Sequence, residues 1–181
     1  MFVFKFDKTI QAVAFLLRRE TSKEMNYMRL IKILYIADRE SIKRTGRPIT
    51  GDRVAAMPQG PVLSELYDLI KGTHLRSPEL ARFFKKEDYK IRLVEDPGLA
   101  NLSRFDIETI ERVAEEFRAF NEWELVELTH KFPEWRKNSP DESQMKWISF
   151  TDILEALGRA PDPEIEEEAM EERAFARLFG D

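Results

Sequence analysis

Apolar residues recur along most of the chain at the helical spacing of three and four, and two short stretches break that rhythm. Ile10, Val13, Ala14 and Leu17 predict a helix over 8–19 with Asp7 as its cap. A second helix is predicted over 23–44. Its middle, from Leu30 to Ala37, is apolar on most sides apart from Lys32, which marks the central helix of a bundle. Gly46 and Pro48 punctuate its end. Residues 47–61 then carry two glycines and three prolines, predicting a shaped loop with at most a short strand at 53–57. Pro61 stands where the first residue of a helix over 62–71 would be, and Gly72 closes that helix.

A short helix is expected after Ser77-Pro78. Residues 89–94 alternate with period two and read as a strand, ended by Asp96-Pro97-Gly98. Its expected partner is 53–57. Ser103 with Asp106 resembles a capping box ahead of the stripe Ile107, Ile110, Val113, Ala114 and Phe117. Asn121 with Glu124 offers a second cap, for a helix that breaks at His130–Trp135. Thr151 starts a last short helix that ends at Gly158. The expected fold is mainly α: a compact helical bundle with one small antiparallel β-hairpin over 1–160, then an acidic amphipathic helical tail over 161–181.

The 181 residues suffice for one domain or a domain plus an appendage. An apolar share of 43% argues against general disorder. The chain has no cysteine, which excludes disulfides and thiolate chemistry, and only two histidines, His74 and His130. The N-terminal run MFVFKFDK is too short in apolar residues for a secretory signal, and Leu30–Ala37 is far too short to span a bilayer. The expectation is a soluble cytoplasmic protein with no membrane partner. Net charge is +6 over 1–60, −5 over 61–160 and −6 over 161–181, so a short tail sets the overall −5.

No phosphate-binding glycine motif and no GxSxG elbow occur. His130 has Glu127 and Glu134 nearby as acid–base partners, but nothing adjacent supplies a nucleophile or oxyanion hole, which favours a structural ring. Asp38, Arg39, Arg47, Asp52 and Arg53 alternate in charge around the central helix end and predict an ion-pair network holding the Gly/Pro loop. Glu65 and Asp68 lack a third ligand for a cation. Arg18-Arg19 and Lys43-Arg44 are the only adjacent basic pairs in the first sixty residues, so nucleic acid is not the expected partner. No cofactor or metal is expected.

In a tail helix over 164–179, Ile165, Ala169, Ala176 and Phe179 share one stripe, and Met170, Ala174 and Leu178 lie opposite. One stripe suffices to dock on the body, leaving the other for a partner; the alternative is a frayed terminus. Candidate partner-binding residues are Ile165, Ala169, Met170, Phe175, Leu178 and Phe179.

Taken together, Leu30–Asp38, Gly46–Asp52, Ala56–Val62, Leu66-Tyr67-Asp68, Leu102-Ser103, Glu124-Leu125, His130 and Trp135 resemble the Panacea domain of the SocA-like antitoxin family. The resemblance covers about 8–157 and leaves the tail outside. It marks Tyr35, Asp38, Gly51, Asp52, Pro58, Gly60, Pro61, Tyr67, His130 and Trp135 as motif residues of structural role. Gln59 stands where the family often has histidine. The resemblance implies a non-enzymatic antitoxin of a toxin–antitoxin system, with phage-associated relatives, that binds a cognate toxin directly. The alternatives are an adaptor that delivers the toxin to a Clp-type protease, as one family member does, or a DNA-binding regulator using the basic N-terminal helices.

Overall fold

The computed structural model describes residues 2–140 and 144–179. Helix α1 (Phe6–Arg18) and the long α2 (Tyr27–Thr45) flank a three-residue strand, β1 (Glu24–Asn26). Strands β2 (Val54–Met57) and β3 (Gly60–Leu63) lead into α3 (Ser64–Lys71) and α4 (Ser77–Phe83). A second hairpin, β4 (Phe84–Glu87) and β5 (Lys90–Leu93), precedes α5 (Arg104–Glu116), α6 (Glu122–Thr129) and α7 (Pro133–Lys137). After β6 (Lys146–Ile148) come α8 (Phe150–Ala156) and α9 (Pro163–Phe179).

The fold is mainly α, but it carries two small antiparallel three-stranded sheets in place of a single hairpin. One has the order β1-β5-β4 and the other β3-β2-β6. The expected pairing of 89–94 with 53–57 does not occur. β2 turns back on its own continuation, with Ala56 opposite Pro61 and Met57 opposite Gly60, and its other edge takes β6. A local hairpin closes a much shorter loop than the distant pairing would, at lower entropic cost. β3 is an edge strand, where the missing N–H of Pro61 is tolerated.

Three predicted helix starts move for tertiary reasons. α1 begins at Phe6 with no side-chain cap, because the chain enters it through a bond from the Lys5 amide to the Thr50 carbonyl (2.8 Å). α2 begins at Tyr27 because residues 24–26 are taken by the sheet; the Asn26 side chain caps it through the Met28 amide (2.9 Å). α3 begins at Ser64, and its cap is the distant Asp52 carboxylate. The capping boxes at Ser103/Asp106 and Asn121/Glu124 form as read. α8 starts from Ser149 with Asp152, just ahead of Thr151.

α2 is the buried axis. Leu30, Ile33, Leu34, Tyr35 and Ala37 are all at most 1% exposed, with α5, α6 and α1 packed around them. Lys32 is buried to the same degree, so even the one charge in that run lies inside.

Candidate functional site

The Met57–Pro61 turn projects from this core with Pro58 and Gln59 exposed. Its carbonyls are held from beneath. Trp135 Nε1 donates to the Met57 oxygen (3.2 Å) and Lys32 Nζ to the Pro61 oxygen (2.7 Å), while His130 sits beside the Pro58 backbone. The His130 ring stacks on Trp135 at 4.0 Å and 13°. Gly60 has φ +94°, and a Cβ there would sit 2.7 Å from Thr129 Oγ1 and 3.1 Å from Lys32 Nζ. Gly60→Ala is therefore expected to cost at least about 1–2 kcal/mol from backbone strain alone, read as a lower urea midpoint with an unchanged slope.

His130 is not paired with Glu134. Burial, then the Lys32 charge, lowers its pKa, and its Nε2 is buried without a hydrogen-bond partner. Glu134 is 1% exposed and accepts from Tyr35 Oη (2.7 Å) and Arg39 Nε (2.8 Å). Burial and that carboxylate push the Tyr35 hydroxyl far up.

The predicted network of alternating charges gives way to separate anchors. Asp38 accepts from the amides of Ile49 (2.8 Å) and Thr50 (3.0 Å) and from the Thr50 hydroxyl. Asp52 accepts from the amides of Glu65 and Leu66, both 2.9 Å. Burial raises Asp38 to about 6 and Asp52 to about 8, against the opposing pull of these bonds. The arginines go elsewhere: Arg39 to Glu134, Arg47 to Glu168, and Arg53 to Glu65 while lying 4.5 Å over Trp147. A buried backbone amide repays a carboxylate without the cost of burying a second full charge. Gly51 packs on the N-terminal segment, where a Cβ would be 1.9 Å from the Val3 oxygen. Among the described residues no three carboxylates or imidazoles gather as a metal site; Glu65 is held by Arg53 and His74, and Asp68 bonds Thr73.

α9 lies on the body. Ile165 and Ala169 are buried, with Ile165 Cδ1 against Gly46, and the pairs Arg47–Glu168 and Lys5–Glu172 hold the flank. Those two apolar residues thus serve this chain's own packing. Met170, Phe175 and Leu178 are exposed at 61%, 65% and 77%. The side chain of Phe179 lies outside the described residues.

Sequence reasoning missed the depth of Lys32, the role of Glu134, and a pocket between the Met57–Pro61 turn and α2. Tyr67 half-lines that pocket, and the exposed Tyr89 and Trp123 form its rim. The signal for Lys32 lies in its neighbours: the one cation within Leu30–Ala37, a run apolar on most sides, has little solvent face to turn towards.

Among the described residues no helix is long and apolar enough to cross a membrane. Neither the curated proteins nor the solved structures give a match to this chain. One family profile does, described as antitoxin SocA-like, Panacea domain, and it spans residues 30–136, from the axis of α2 through the carbonyl-bound turn to Trp135 beneath it. More than half of the sequence lies within that match, and the chain belongs to the SocA-like antitoxin family as a Panacea-domain protein.

Proposed function

We propose that this protein neutralises a co-encoded toxin by binding it directly, making and breaking no bonds itself. Family membership supports an antitoxin role. The observation that carries the reading further is the outward face of α9, where Met170, flanked by Glu166–Glu168 and Glu171-Glu172, and Leu178 stand exposed while Ile165 and Ala169 hold the helix to the body. A helix already docked on its own protein meets part of the ordering cost that a disordered segment would face on binding. Its charge of −6 over 161–181 speeds encounter with a basic toxin surface, and the apolar residues anchor the complex. In this reading residues 1–160 are the folded domain and 161–181 the recognition tail.

The test is a chain ending at residue 160, co-expressed with the neighbouring toxin. It is expected to melt cooperatively like the full protein yet lose at least about tenfold in toxin affinity. Full protection by the truncated chain would remove the tail from the mechanism. Toxin abundance, followed in the same cells, separates masking from delivery to a protease: under masking the toxin's lifetime does not fall.

A further inference from the structure

A pocket of about 480 Å³ opens between α2, the Met57–Pro61 turn, α3 and the start of α6. That volume falls in the range of small-molecule sites. Its wall includes Tyr27, Met28, Tyr67, Tyr89 and Trp123, with Lys32 also contributing. Tyr27 and Tyr89 stack on each other at 6.2 Å and 25°. Two further helices, α3 and α6, and the β4–β5 turn join α2 in supplying these residues, so the shape is fixed by the fold rather than by one mobile loop.

Lys32 is what makes this more than an apolar hollow. It is 1% exposed, and among the described residues no carboxylate pairs with it. Its amine has three donor positions, and one acceptor, the Pro61 carbonyl, is bound to it. Buried lysines are ordinarily paired, because an ammonium removed from water without a counter-charge is costly. Glu122 also lines the pocket, but its carboxylate accepts from Asn26 Nδ2 (3.0 Å). Lys86 lies over the Tyr27 ring at 5.9 Å, adding a second positive charge close to this wall.

We propose that this pocket binds a small planar carboxylic acid, its ring on the tyrosine and tryptophan wall and its carboxylate on the Lys32 amine. The aromatic faces supply stacking for the ring. The ligand's anion supplies the counter-charge that the protein itself withholds. Burial alone pushes the Lys32 amine down to about 7, and a bound carboxylate would draw it back up. The site is independent of the toxin-binding reading, since it lies on a different set of residues and is tested without a toxin.

The experiment titrates the full chain with 1-naphthoate and, separately, with its neutral amide, by calorimetry. Saturable binding of the acid, roughly tenfold tighter than the amide, is expected. Lys32→Met should erase that preference, and Trp123→Ala, at an exposed rim position, should weaken both ligands. Should Lys32→Met fail to fold, the titration of the Lys32 amine in the wild-type protein decides: it moves up when naphthoate is added. Equal affinity for acid and amide, no saturation at millimolar ligand, or an unmoved amine would each overturn the proposal.

Discussion

Replacing Glu134 by Ala is expected to destabilise the protein by about 3–5 kcal/mol, the range for removing one member of a buried ion pair. Its carboxylate accepts from the Tyr35 hydroxyl and also takes the Arg39 guanidinium. Without it, among the described residues Arg39 keeps the Phe132 ring, 4.3 Å from its guanidinium, as compensation. The buried Tyr35 hydroxyl loses its partner at the same time. Denaturant unfolding should show the loss directly. Tyr35→Phe in the same background separates the contributions: the double variant should cost less than the sum of the two single changes, because one bond is shared. A loss below about 1 kcal/mol for Glu134→Ala, the level of an exposed pair, would mean that water reaches this site.

This glutamate shows where the sequence could and could not be read. Helices α2, α5 and α6 were legible because their apolar periodicity and local caps are written within a few residues of each other. Ser103 with Asp106 and Asn121 with Glu124 are such cases, and both form. Positions set by distant partners were not. The start of α3 depends on Asp52, thirteen residues before Glu65, and the start of α1 depends on Thr50. The short strands β1, β4 and β6 carry too few residues to establish a period, and sheet pairing gave them identity. The motif around the turn was visible as spacing. That its Met57 and Pro61 carbonyls are bound by Trp135 and Lys32 could not be read from spacing, because the two side chains come from distant parts of the chain. The turn therefore presents Pro58 and Gln59 on a rigid base, a property that resides in packing rather than in the turn's own residues.

The same base makes stability depend on pH in a direction opposite to that of a paired lysine. Lys32 has its amine lowered from 10.5 to about 7 by burial. Between those values the unfolded chain holds a proton that the folded chain has released, so stability rises with pH across that interval. The lysine's contribution is complete above 10.5 and is lost as pH falls through 7. At most about 1.4 kcal/mol per pH unit is at stake, so the step from pH 7 to pH 9 is worth roughly 2–3 kcal/mol. Lys32→Met keeps most of the buried volume and removes the titration. Its stability relative to wild type should therefore be most favourable near pH 6 and decline steadily towards pH 9. Asp52, raised to about 8 by burial, acts in the reverse sense, its contribution falling as pH rises through that value. The comparison with Lys32→Met cancels this, because both proteins retain the same Asp52. Parallel stability curves for the two proteins from pH 6 to 9 would show that the amine stays hydrated in the folded state. They would also mean that the Pro61 carbonyl is held by an ordinary solvent-shared ammonium.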